Sequence, residues 1–256
     1  MKALVTGASS GIGKEMCYYL GELGYDIILV ARDKKNLEDV ASKIKTNTRV
    51  IDLDLSKREN AFKLYEMTKD ENIDLLVNGA GFGLFGKTWE TDLDRELSMI
   101  DLNVTSLHIL TKLFLQDMVK RNSGRILNIA SSAGFLAGPI LNTYYSTKNY
   151  VLRFTEAIYE ELRHDNINVH VSALCPGPVD TNFNKVAGGS FATKALDATY
   201  VARYGIDKCL KNKLVIVPGF GMKLVIFFQR FVPLKLLLKM TYGIQKQKAS
   251  KGGKNV

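Results

Sequence analysis

The sequence predicts an α/β fold: a doubly wound parallel sheet of the Rossmann type, about seven strands with helices on both faces, and a C-terminal helical extension. Three observations carry this. Short apolar runs alternate with helical segments along most of the chain, the pattern of a parallel sheet. A glycine-rich turn follows the first apolar run and opens a helix. The polar motifs fall at the carboxyl ends of the apolar runs, where such sheets bind ligands.

The chain opens with KALVTGASSGIGKEMCYYLGELG, a strand, a turn and a helix. Gly7, Gly11 and Gly13 allow a tight turn, with Ser9, Ser10 and Ile12 between them. A phosphate can approach the backbone there, where free N–H groups and the helix dipole favour negative charge. The spacing is G-x3-G-x-G, unlike the G-x-G-x-x-G of other dinucleotide folds. Its position between strand and helix gives it weight.

YDIILVAR is the second strand, ending at Ala31 and Arg32. An acid at this place would bind the 2′-hydroxyl of an adenine ribose. Arg32 instead offers a guanidinium to a 2′-phosphate, so NADP(H) is the expected cofactor. The competing reading is a surface arginine before the helix DKKNLEDVASKI. RVIDLDLS is the third strand, ending at Asp54 and Leu55. After the helix KRENAFKLYEMTKD, IDLLVNGAG gives a fourth strand closed by Asn78, Gly79, Ala80 and Gly81.

LNVTSLHILTKLFLQDMVKR is an apolar helix, followed by the strand RILNIA with Ser131 at its end. Tyr144 and Lys148 stand at the front of a helical segment, YSTKNYVLRFTEAIYEELR. Positions i and i+4 share a helix face, so phenol and ammonium are expected as neighbours. A cation there favours the phenolate and brings proton exchange toward neutral pH. The Ser131 hydroxyl is expected on the same substrate oxygen. Taken alone, a tyrosine and lysine at this spacing are more often surface residues of an amphipathic helix. INVHVSALCPG reads as the sixth strand, and KLVIVPG as the seventh.

Composition narrows the function classes. The 256 residues fit one domain, 46% hydrophobic and 24% charged, as in an ordinary soluble globule. Cys17, Cys175 and Cys209 are too few and too scattered for a disulfide framework or a metal knuckle, which suits a reducing compartment. His108, His164 and His170 lack ligand spacing, so no metal is expected. Only Met1 precedes the first strand, so no leader is expected and a cytoplasmic location is. The net charge is +9, yet from Lys211 to Val256 there are ten Lys or Arg and no Asp or Glu. The first 210 residues therefore hold 25 basic and 26 acidic side chains, a net of −1. Charge so localised argues against nucleic acid as partner.

TGASSGIG, NGAG, Asn103 in DLNVTS, S-x12-YYSTK and PGPVDT, in this order and spacing over residues 6 to 181, resemble the short-chain dehydrogenase/reductase family. The resemblance implies a hydride exchanged between a nicotinamide and a carbonyl or alcohol carbon. Tyr144 would then donate or accept the proton. Lys148 would bind the nicotinamide ribose and lower the tyrosine pKa. Ser131 would orient the substrate oxygen, and Asn103 would hold a water in a proton relay. Pro176, Gly177, Val179 and Thr181 would meet the nicotinamide carboxamide, and NFNKVAGGSFATK would form a substrate lid. The two central helices would form the seam of a homodimer or homotetramer. Spacing selects Tyr144 over Tyr145, and Ser131 over Ser132. The family commonly shows NNAG where this chain has NGAG, so local hydrogen bonding is expected to be lost at Gly79 and the turn retained.

The last segment, FGMKLVIFFQRFVPLKLLLKMTYGIQ, is apolar but interrupted by Lys223, Arg230, Lys235 and Lys239. It has no uninterrupted stretch near the ~20 residues of a membrane span. Pro233 is expected to divide it into two helices, in the first turn of the second. Two readings stay open: a flap over an apolar substrate pocket, or an interfacial helix pair on anionic lipid. The expected organisation is a dinucleotide-binding and catalytic domain over 1–219, its helical extension over 220–245, and a disordered basic tail over 246–256. The tail resembles that of family members acting on lipophilic carbonyls, and the resemblance implies an NADP(H)-dependent carbonyl reductase or alcohol dehydrogenase with a lipophilic substrate such as a 3-oxoacyl or steroid-like ketone. A non-catalytic NADP(H)-binding sensor or scaffold is the alternative.

Overall fold

A computed structural model describes residues 1–188 and 195–252. Seven parallel strands form one sheet in the order β3-β2-β1-β4-β5-β6-β7. They are β1 (Lys2–Thr6), β2 (Asp26–Ala31), β3 (Thr48–Asp52), β4 (Leu75–Asn78), β5 (Gly124–Ile129), β6 (Val169–Leu174) and β7 (Val215–Ile216). The strand order reverses between β1 and β4, which opens a crevice at their carboxyl ends.

The inner strands are apolar on both faces because both are covered, whereas the edge strand β3 is largely exposed. Side chains alternate across the sheet. Ala3, Val5, Ile27 and Leu29 face α1 (Gly11–Glu22), α2 (Lys34–Ser42) and α8 (Ala198–Leu210), where Met16, Leu37 and Ile206 complete the layer. Leu4, Ile28 and Leu76 face the other way, onto Leu64 of α3 (Arg58–Thr68), Phe114 of α5 (Leu107–Lys120) and Ile158 of α6 (Asn142–His164). All three cysteines are buried.

Several boundaries differ from expectation. The seventh strand has only two residues, because β6 is its one neighbour and the chain turns away at Pro218–Gly219. A helix, α4 (Leu93–Ile100), precedes the apolar central helix. It runs into α5 through a π-helical turn, Asp101–Ser106, that contains Asn103. Such turns mark places where the regular ladder gives way to a local need.

Pro233 does separate two helices, α9 (Phe220–Phe228) and α10 (Leu234–Gly252). It stands just ahead of the second, its carbonyl accepting from Leu236 and Leu237 N–H at 3.0 Å. The second helix continues to Gly252, so residues 246–252, expected to be disordered, are helical. Gln, Lys and Ala in QKQKA favour helix, and buried Gln245 anchors the preceding turn. The remainder of that expected tail, 253–256, lies outside the described residues. So do 189–194 of the expected lid, whose first part forms α7 (Phe183–Ala187).

Candidate active site

One cavity of about 820 Å³ runs along the carboxyl end of the sheet. At one end Gly7, Ser9, Ser10, Gly11, Ile12 and Gly13 form the turn between β1 and α1. Gly7 has φ +72°, and a Cβ there would lie 2.8 Å from Gly79 O; a Cβ on Gly13 would lie 2.3 Å from Gly7 O. The backbone is packed too tightly for side chains. Gly7 and Ala8 N–H are used by Val30 O (2.9 and 3.2 Å), so the donors open to a ligand are those at the start of α1. Ser10 makes no side-chain cap to α1, and the first turn carries no acid. An anion therefore meets an uncapped helix terminus, and a dinucleotide pyrophosphate fits this cradle.

Arg32, exposed at the end of β2, lines the same cleft, with Asp54 and Leu55 from the segment after β3. The acid beside it, Asp33, is committed elsewhere: its carboxylate accepts from Asn36 N–H at 3.0 Å and caps α2. Ala80, Gly81, Pro176, Gly177, Val179 and Thr181 form the middle of the cleft.

Asn78 is not in the cleft wall. It is buried beneath it, where Nδ2 donates to Thr111 Oγ1 (3.0 Å) and Asn128 Oδ1 (2.9 Å), tying β4 to α5 and β5. The Gly79 departure also has a structural reason. A Cβ there would sit 2.7 Å from Thr6 O, so the turn lies against β1. Hydrogen bonding at the turn is supplied from the other side, as Thr6 Oγ1 accepts from Gly79 N–H (3.0 Å) and Ala80 N–H (3.2 Å).

The helix α6 and the end of β5 bring Ser131, Tyr144 and Lys148 together in the cavity wall. The Ser131 hydroxyl, whose oxygen accepts from Ala133 N–H at 3.1 Å, acts on the Tyr144 phenol to favour its ionised form. Lys148 Nζ donates to Ile129 O at 2.7 Å and lies 5.8 Å from the Tyr144 ring centroid. Asn103 stands behind this wall, fully buried. Its Nδ2 donates to Phe82 O (2.9 Å) and Thr147 Oγ1 (3.1 Å), and its Oδ1 accepts from Phe82 N–H (3.1 Å). In this structure Asn103 thus couples the Gly81–Phe82 turn to α6, the helix of Tyr144 and Lys148.

The electrostatics correct one expectation. Lys148 was expected to draw the tyrosine pKa down. Burial instead pushes the Tyr144 phenol up to about 12, the Ser131 hydroxyl opposing it. Burial also pushes the Lys148 ammonium down to about 8. Both charged forms are penalised by the same loss of water.

Beyond Tyr144 the lining becomes largely apolar. Leu136, Leu141, Phe183, Met222, Ile226 and Leu237 are among the residues that close it. The helix pair α9–α10 is therefore a roof over the pocket, one of its two expected roles. Tyr145 lines the pocket beside Tyr144, their ring centroids 6.3 Å apart. Gln245, which the sequence did not flag, joins it: Gln245 Nε2 donates to Tyr145 Oη at 2.5 Å. A lone glutamine in a lysine-rich helix carries no signal by itself.

Comparison with known proteins bears on the family and the fold. The sequence profile described as short chain dehydrogenase matches residues 1–189. An uncharacterized oxidoreductase of Staphylococcus saprophyticus is 35% identical over 185 residues, 70% of this chain and 78% of that protein. A very-long-chain 3-oxoacyl-CoA reductase of Mycosarcoma maydis is 31% identical over an alignment of 264 residues, covering 95% of this chain and 73% of its own length. Among solved structures, a short-chain dehydrogenase from Sphingobium yanoikuyae in complex with NADPH superposes with a TM-score of 0.82 at 24% identity, over 90% of this chain and 93% of that one.

Proposed function

The chain belongs to the short-chain dehydrogenase/reductase family, and from that premise we propose that it is an NADP(H)-dependent reductase of lipophilic ketones. The observation that carries this reading is the half-buried Tyr144 at the junction of two halves of one cavity, a nucleotide cradle and a largely apolar chamber. The cofactor supplies hydride to the carbonyl carbon when bound.

The residues of the chain do the rest. Tyr144, with its pKa near 12, stays protonated at neutral pH and donates its proton to the carbonyl oxygen. Ser131, in the cavity wall with Tyr144, directs that oxygen to the phenol. Once the proton has left, the buried Lys148 cation offsets the phenolate, and Ile129 O fixes its position. Asn103 holds the loop and helix in register. Gly7 to Gly13 receive the pyrophosphate, Arg32 receives the 2′-phosphate, and Val179 and Thr181 meet the carboxamide. The apolar chamber excludes water and favours a long-chain 3-oxoacyl or steroid-like substrate. The similarity to a 3-oxoacyl-CoA reductase supports that class.

The C-terminal helices extend the proposal. Phe220, Phe227, Phe231, Leu234 and Leu236 are exposed on the roof. Arg230, Lys235, Lys239 and Lys246 are exposed beside them, with no ion pair among the described residues. Among the described residues no helix is long and apolar enough to cross a membrane. An apolar face flanked by unpaired cations suits the surface of an anionic bilayer, where lipophilic substrates concentrate. The enzyme on this reading is cytoplasmic and peripheral. It pairs through α5 and α6, where His108 stacks on Phe154 at 4.6 Å and Tyr150 is exposed.

The decisive experiment is titration with NADPH and NADH followed by a panel of ketones of rising chain length. Tight NADPH binding and efficiency rising with chain length are expected. Binding without turnover of any ketone would return the protein to a cofactor-binding scaffold.

A further inference from the structure

Gln245 lies in the cavity wall and is 2% exposed. Its Nε2 is used by Tyr145, yet its Oε1 has no hydrogen-bond partner. Among the described residues three buried side-chain atoms are orphaned in this way: Asn78 Oδ1, Ser172 Oγ and Gln245 Oε1. Of these residues, only Gln245 lines the cavity. An unpaired acceptor in apolar surroundings is costly, and a leucine at the same place would avoid that cost.

Tyr145 completes the arrangement. Its oxygen accepts from Gln245, which leaves its own O–H to be donated. Burial pushes its pKa up to about 12, so that proton is retained. Thr241, one turn earlier on α10, does not compete, because its hydroxyl donates to Leu237 O at 2.8 Å. One acceptor and one donor are therefore adjacent in a wall that also carries Asn182, Gln229 and Lys248, beside the proton-donating Tyr144. A single hydroxyl can satisfy both, and it fits either orientation of the carboxamide.

We propose that Tyr145 and Gln245 form a specificity site for a hydroxyl carried by the substrate, several bonds from the carbonyl that meets Tyr144. The preferred substrate is then a lipophilic hydroxyketone, not a plain apolar ketone. This rests on the ketone-reductase reading. A site built to bond a hydroxyl discriminates against the analogue lacking it, because the analogue leaves buried groups unpaired.

The test uses the full chain with NADPH, a medium-chain methyl ketone, and its monohydroxylated analogues with the hydroxyl moved carbon by carbon. One position is expected to raise kcat/KM about tenfold or more over the parent ketone, the scale of a buried hydrogen bond. Dissociation constants from calorimetry should follow the same order, independently of turnover. Gln245→Leu and Tyr145→Phe should each draw the hydroxyketone-to-ketone ratio toward one, and the double variant should draw it no further. Equal efficiency and affinity at every hydroxyl position, or a ratio that survives Gln245→Leu in folded protein, overturns the proposal. If ketones are reduced without regard to the hydroxyl, this inference alone fails. If no ketone is bound or reduced, the reductase reading fails as well.

Discussion

The two ends of the cavity are built by different means. The nucleotide end is made of backbone: turns between strand and helix, held so closely that side chains have no room at Gly7 or Gly79. The substrate end is made of side chains from α6, α7, α9 and α10, several of them exposed on their outer faces. A backbone cradle recognises what all dinucleotides share. A side-chain chamber can be rebuilt by substitution without disturbing the sheet, so substrate identity resides there. The difference teaches that cofactor chemistry and substrate choice are separable, with Tyr144 at the boundary.

The strongest way to test that boundary is Tyr144→Phe. Turnover should fall by about 10²–10⁴-fold, the worth of a positioned acid, with NADPH affinity nearly intact. A comparable loss in Tyr145→Phe, with Tyr144→Phe active, would move the chemistry into the chamber and erase the division.

Burial at the boundary can be read from stability. The folded pKa of Lys148, about 8, lies below its ordinary 10.5, so between these values the unfolded chain binds more protons. Stability from this group therefore rises with pH through that window. Lys148→Met lacks this rise, so from about pH 7 to about pH 10 the parent should gain about 2–3 kcal/mol relative to the variant in urea unfolding. Parallel pH profiles would show that Lys148 is not desolvated.

At the nucleotide end, Arg32→Ala should narrow the preference for NADPH over NADH by about 1.5–3 kcal/mol, the range of a charge-assisted hydrogen bond. Equal affinities in the unaltered protein would remove Arg32 from cofactor choice. At the roof, the protein should sediment with anionic vesicles and not with neutral ones. Lys235→Gln and Lys239→Gln should each weaken that binding by about 1 kcal/mol. Salt should weaken it too, because screening acts within about 10 Å at 0.1 M. Absence of vesicle binding at low salt would leave α9–α10 as a pocket roof alone.

What the sequence alone determined is the part governed by local rules. Alternating apolar runs and helices specify a parallel sheet, because strand and helix periods are local. The glycine spacing specifies the turn, and the four-residue step from Tyr144 to Lys148 places them on one helix face. Those features, together with the family, were legible. Tertiary structure decided the rest. Burial, set by the whole fold, raised the Tyr144 pKa where the neighbouring lysine alone pointed the other way. The place of Asn78 below the cleft follows from Thr111 and Asn128 meeting it across three elements. The Gln245–Tyr145 bond joins residues 100 positions apart, and only the folding of α10 over α6 brings that amide into the chamber. Desolvation and long-range contact depend on which segments meet, and no local pattern in the chain encodes that.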